Sequence, residues 1–307
     1  MSPERAGPYP IEYSLLLPCC KTGSRPGIEW MLRHDLLDRD TVVDSQCRAL
    51  AVACHYGRRH PDFVRYMFEK FYPFAARLTT SNCEVVCAAF ESGSREIVSY
   101  IFDAHKLTFG ELTQKFRWAK ECAFIAACSA ANLELAEWVR EHAHVDSSML
   151  ERCATSILVR ACSEGRVDVL SWLRDKFRMT KKIARGTFSD TFAYNAAFLK
   201  ACKKGQVDVV RWLVNELKFN KSDVTRYSLH AFRNACTCGE GGGLETAKFL
   251  AEKFEIASLL QKPDLRSIRR LLIDEARQAT ASEFVGAPIY FFLRDELRIS
   301  EENLRMY

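Results

Sequence analysis

Proline and glycine are scarce in this chain, nine and fourteen among 307 residues. So few turn-forming residues argue against an all-β protein built on many tight reversals. No apolar run reaches the ~18–20 residues that a membrane-crossing helix needs. The first ten residues, MSPERAGPYP, hold no apolar stretch of the kind a secretory signal uses, so a short disordered lead is expected over 1–10. Phosphate-binding glycine motifs are missing too. Residues 239–243 read GEGGG, but Leu244 and Glu245 stand where a P-loop has lysine and a hydroxyl, and Leu244 also occupies the place of a dinucleotide fingerprint's last glycine. The seven histidines neither recur at a fixed position nor join a recognisable nucleophile motif, so no enzyme is expected.

Thirteen cysteines are present, an odd number scattered through a long chain. A small secreted scaffold packs its cysteines densely into a short chain. Here they read as reduced thiols acting as small core residues, in the cytoplasm or nucleus. The closest pairs, Cys19-Cys20 and Cys236-x-Cys238, lack a second pair at zinc-site spacing, so neither a metal nor another cofactor is expected.

The content of the chain is a repeated phrase. Residues 161–173 read ACSEGRVDVLSWL and residues 201–213 read ACKKGQVDVVRWL. Taking the glycine as an anchor, the phrase recurs at Gly23, Gly57, Gly93, Ala131, Gly165, Gly205 and Gly239, at spacings of 34, 36, 38, 34, 40 and 34. Such a period belongs to helical-repeat arrays rather than to a two-domain enzyme. Seven positions before the anchors stand Leu16, Leu50, Val86, Phe124, Leu158, Phe198 and Phe232. Four and three before them stand small residues, Ala53-Cys54, Ala161-Cys162 and Ala201-Cys202 among them, with Phe90 the exception three before Gly93. These offsets share one helical face, so a first helix runs into each anchor, offering one large and two small residues to a neighbour. Gly165 and Gly205 suit a left-handed helix end.

After the anchor comes an acid (Glu96, Glu134, Asp168 or Asp208), which starts a second helix as a cap or by complementing its N-terminal dipole. Then comes an aromatic followed by an aliphatic, as in Trp30-Met31, Tyr66-Met67, Trp172-Leu173 and Trp212-Leu213. Trp172 and Trp212 are expected to fill a buried seam. One helix pair cannot bury both faces, but seven stacked pairs bury a continuous core. Residues 11–255 are therefore expected to form seven repeats. Residues 256–307, with DLRSIRRLLIDEARQAT and PIYFFLRDEL, form a degenerate eighth that closes the array.

RACSEGRVDVLSWLRDKF and KACKKGQVDVVRWLVNEL resemble the ankyrin repeat, whose core pattern is A-A-x-x-G-x-L-E-V-V-x-x-L-L. The irregular period and the tryptophan-bearing second helix are similar to divergent ankyrin arrays of large DNA viruses and protists. The family's T-P-L-H turn is replaced by Ser156-Ile157-Leu158-Val159 and Ala196-Ala197-Phe198-Leu199, so plain loops are expected in place of hairpin fingers. The resemblance implies an all-α solenoid of seven to eight repeats, with partners on a concave face made of first helices and connections.

Charge singles out one part of that face. Residues 174–233 hold fourteen Lys/Arg against five Asp/Glu, an excess of nine; the whole chain nets +5, so the remainder nets −4. Arg160 and Lys200 occupy the column five before the anchor, where earlier units have Val52, Ala88 and Ala126. The expected binding residues are Arg160, Lys181, Lys182, Arg185, Lys200, Lys203, Lys204 and Arg233, attracting an acidic protein surface onto a monomeric, non-catalytic scaffold. The alternative is RNA or DNA, bound through the same basic 174–233 face.

Overall fold

A computed structural model describes residues 11–37, 48–71, 84–115, 118–130, 132–185, 195–238, 242–262, 265–282 and 287–299. Anchors Ala131 and Gly239 and the expected lead over 1–10 lie outside the described residues. Among the described residues all regular structure is helical, with no strand. No helix there is long and apolar enough to cross a membrane. The chain divides into two compact units, Met1–Met149 and Leu150–Tyr307.

In the first unit, helices α1 (Ile11–Thr22), α2 (Arg25–Arg33), α3 (Arg48–Tyr56), α4 (Pro61–Phe71), α5 (Glu84–Glu91), α6 (Arg95–Ala104), α7 (Phe109–Lys115), α8 (Ala119–Ser129) and α9 (Leu133–His142) follow in order. First helices pack in series, α1 on α3, α3 on α5 and α5 on α8, and the second helix α4 packs on α6. The second unit contains α10 (Ser147–Ser163), which begins just before the boundary, then α11 (Val167–Phe177), α12 (Lys181–Arg185), α13 (Ala196–Lys203), α14 (Val207–Asn215), α15 (Lys221–Cys236), α16 (Gly243–Phe254), α17 (Ile256–Leu260), α18 (Arg266–Ser282) and α19 (Ala287–Phe291). There α13 packs on α15 and α15 on α18, while α11 packs on α14 and α14 on α16.

The seams use the residues that the spacing selects. Leu16, Leu50, Val86, Phe124, Leu158, Phe198 and Phe232 are all buried, as are Ala53-Cys54, Ala127-Cys128, Ala161-Cys162, Ala201-Cys202 and Ala235-Cys236. Burying each large member contributes about 1.5–3 kcal/mol. Gly23, Gly93, Gly165 and Gly205 take φ of 66, 69, 76 and 64°, the left-handed conformation that ends a first helix. Gly242 has a packing reason: a Cβ on Gly205 would lie 2.6 Å from the Gly242 carbonyl carbon, so two backbones meet there. The second helices begin with side-chain caps at Ser24, Ser94 and Asn132. Glu96, Glu134, Asp168 and Asp208 sit in the first turn and act on the helix dipole.

Two expectations need correction. The aromatic column is not uniformly buried. Trp212 is 9% exposed, but Trp30 is 49% exposed and Trp172 is half-buried, against the ring of Phe177. The seam is filled instead by the following aliphatics, Met31, Met67, Ile101, Val139, Leu173, Leu213 and Leu250. The aromatics lie at its edge, where guanidinium groups from preceding second helices cover some of them: Arg25 over Tyr66 at 4.6 Å, Arg174 over Trp212 at 5.8 Å and Arg211 over Phe249 at 5.0 Å. Secondly, the connections are not all plain loops, because α7, α12 and α17 are short helices within them. Second helices also end left-handed, a feature the sequence did not announce, at non-glycine residues Asp35, Lys106, His144, Arg178, Lys218, Glu255 and Arg298. Buried Leu107, Val145, Met179, Phe219, Ile256 and Ile299 directly follow six of these, the hydrophobic contact that accompanies such a helix end. Arg298 and Ile299 carry the device into 256–307.

Candidate partner-binding surface

The basic tract resolves into two populations. The first is consumed by contacts between successive helix pairs. Lys181 at the start of α12 places its Nζ 2.7 Å from Asp223 Oδ2, and Asp223 is almost fully buried. The same ammonium donates to the Lys218 carbonyl at 2.7 Å and lies 5.4 Å from the Phe219 ring centroid. Asp223 in turn accepts from the Asn220 backbone N–H at 2.8 Å, completing a capping box at the head of α15. Arg233 on α15 donates from Nη2 and Nε, one edge of its guanidinium, to the two carboxylate oxygens of Glu275 on α18, at 2.5 and 3.3 Å. Arg174 reaches Glu216 at 2.5 Å, and Lys221 reaches Glu255 at 3.1 Å. Lys218 donates to the Asn215 carbonyl at 2.7 Å, so its charge faces the negative end of a helix dipole. Arg160 pairs with Glu164 one turn on, at 3.0 Å.

The second population stays exposed. Lys182 on α12 and Lys203 on α13 are exposed, Lys200 is half-buried, and none forms an ion pair among the described residues. Lys204 is half-buried and makes contacts of its own. Arg185 ends α12, and its side chain lies outside the described residues. Lys200 and Lys203 are one turn apart, so they share a face of α13. Across the seam on α15, His230 registers the charge of Lys203. Its basicity is lowered by burial, then by Arg233, with Glu275 opposing and Lys203 adding to the depression. Asn234, in the column of Lys200, donates to the Leu199 carbonyl at 3.3 Å and ties α15 to α13. Lys181 and Arg233, expected on the binding face, are thus internal ties, while Lys182, Lys200 and Lys203 remain presented to solvent.

Sequence reading missed a backbone stitch beside this face. Gln206 Nε2, just after anchor Gly205, donates to the Ser163 carbonyl at 3.2 Å. Asn132 Nδ2 does the same to the Gly93 carbonyl at 2.6 Å. The only signal was an amide at the position after the anchor.

The first-helix face of the other unit differs. An open groove of about 420 Å³ lies between α1, α3 and α5, floored by Ala51, Val52 and Ala88. His55 lines it and sits 3.4 Å from Glu91. Among the described residues no group of three or more His, Cys, Asp or Glu is arranged to hold a metal ion. The recurring column thiols sit on successive helices, and burial pushes Cys20 up to about 12 and Cys54, Cys162, Cys202 and Cys236 higher still. They are packing groups without nucleophilic character at neutral pH.

No protein-family model matches the chain, and no curated protein matches it.

Proposed function

We propose that this chain is a monomeric ankyrin-like array, a non-catalytic scaffold that binds an acidic protein surface through the first helices of its second unit. The observation that carries the reading is the pair Lys200 and Lys203, two ammonium groups on one face of α13 without an ion pair among the described residues. Around them three other cations are answered locally: Arg233 by Glu275, Lys181 by Asp223 and Arg160 by Glu164. A surface that ties several of its cations internally and leaves a small cluster open favours a compact acidic patch. A nucleic acid, which draws on many phosphate contacts at once, fits less well.

A polyglutamate peptide serves as the probe in a titration of the full chain. Lys200→Glu with Lys203→Glu is expected to weaken binding at least tenfold, with the fold retained by circular dichroism. Unchanged peptide binding contradicts the reading. A single-stranded oligonucleotide bound more tightly than the peptide, with affinity falling steeply as salt is added, would replace it with the nucleic-acid reading.

A further inference from the structure

The first copy of the repeated phrase, at Gly23, leaves open what the later copies bury. In each later copy the residues eight and four before the anchor, one turn apart on one face of the first helix, are buried, from Ala49 and Ala53 to Ala231 and Ala235. In the Gly23 copy they are Leu15, 45% exposed, and Cys19, half-buried. The second helix repeats the contrast. Trp30 is 49% exposed, where Tyr66, Tyr100 and Trp138 of the same column are half-buried. Beyond its left-handed end Leu36 is 40% exposed, where Leu107, Val145, Met179, Phe219 and Ile256 are buried. Leu15 and Trp30 belong to adjoining faces. Cys19 lies one turn from Leu15, Gly27 lies one turn from Trp30, and a Cβ on Gly27 would sit 2.7 Å from Cys19 Sγ, so the outer faces of α1 and α2 meet.

The later seams show what such a face receives. The aromatic column looks towards the preceding helix pair: Tyr66 lies under the Arg25 guanidinium at 4.6 Å, and Tyr100 lies under Arg65 at 5.7 Å and edge-on to Phe68 at 5.9 Å. Trp138 meets Phe102 edge-on at 5.2 Å. In the second unit Arg174 covers Trp212 and Arg211 covers Phe249 in the same way. In these four seams the preceding second helix lays an arginine over the next aromatic ring. Trp30 meets instead the ring of His34, one turn on in its own helix, at 4.6 Å. A repeat that closes an array carries a polar outer face. The Gly23 copy carries an apolar one, and exposed apolar patches of this kind mark interaction sites. We propose that this face docks a helix of a partner protein, one with an apolar stripe over Leu15 and an arginine over Trp30, in the manner of a preceding second helix. Arginine suits the place because its planar, weakly hydrated guanidinium stacks on an indole. The site lies in the first unit and selects a cation, so it is separate from the acidic-partner face and does not rest on it.

The probe is a helix that already plays this part within the chain: a fluorescein-labelled, side-chain-stapled peptide of residues 166–178, RVDVLSWLRDKFR, whose Arg174 covers Trp212. Titration with the full chain, followed by fluorescence anisotropy, is expected to saturate. Trp30→Ala in the chain and Arg174→Glu in the peptide should each weaken binding at least about tenfold, the loss of a central aromatic or arginine anchor. Leu15→Ser, at an exposed position on the other helix, should weaken it as well, so the outcome does not hang on one variant. Circular dichroism should show the fold retained in both variants. Lys200→Glu with Lys203→Glu should leave binding of this peptide unchanged, which separates failure here from failure of the acidic-partner reading. Three results overturn the proposal. The first is no saturable binding up to millimolar chain. The second is binding that survives both Trp30→Ala and Leu15→Ser. The third is self-association of the unsubstituted chain in sedimentation equilibrium that Trp30→Glu abolishes, which would make a second copy the occupant.

Discussion

Gly205 and Gly110 differ in what an alanine would meet. At Gly205 the backbone is left-handed and a Cβ would strike the backbone of Gly242 and Gly243 within 2.9 Å. At Gly110, in α7, the nearest atom is Thr108 Oγ1 at 3.7 Å, an ordinary contact. Gly205→Ala should therefore destabilise by more than about 1–2 kcal/mol, and Gly110→Ala should stabilise by about 0.4–1 kcal/mol through the unfolded chain. Denaturant titration of the two variants reads both signs. Histidine supplies a second residue-scale expectation. His105 packs on the Phe68 ring, and its Nε2 is buried without a hydrogen-bond partner. Burial lowers its basicity, and burial followed by Arg233 lowers that of His230. Both therefore bind protons more weakly folded than unfolded. Their contribution to stability is present above the ordinary histidine pKa of about 6.5 and is lost as pH falls through that value towards the folded pKa. The fall in melting temperature from pH 7.5 to 5.5 should shrink in His105→Gln; an unchanged fall removes His105 from this account.

Within an element, the helix pair divides labour between neighbours in sequence. Leu173 is fully buried in the seam, whereas Trp172 lies half-buried at its edge. Leu173→Ala should cost about 2–5 kcal/mol, and Trp172→Ala should cost less despite the larger side chain. Thermal melts of the two variants give the order, and a costlier Trp172→Ala would return the aromatic column to the core. The periodicity made the seam legible because large, small and small residues recur at offsets that only one helical face satisfies. It could not say which side of a crowded stripe points inward. A tryptophan and the leucine after it are both apolar, and the decision falls to the angle at which the second helix meets its neighbour. The second left-handed cap was invisible for a similar reason. Lys106, His144, Arg178 and Glu255 share no side-chain type, and the conformation is held by the buried residue that follows each.

At the scale of the whole chain, the excess of positive charge over 174–233 is the feature that sequence made most conspicuous and explained least. Composition counts charges without their partners. Glu275 answers Arg233 from 42 residues away, and Lys181 meets Asp223 across the same distance in sequence. Both partners were in plain view, but only the packing of successive helix pairs brings them together. The tract therefore divides into cations that tie successive helix pairs together and cations that face outward, and melting temperature separates the two. Lys181→Glu leaves the buried Asp223 carboxylate facing a like charge, and should destabilise by about 3 kcal/mol or more, several degrees in a unit of this size. Lys203→Glu alters an exposed side chain and should move the melting temperature by about a degree or less. Equal shifts in the two variants, or a larger loss from Lys203→Glu, would contradict the division on which the proposed binding face rests.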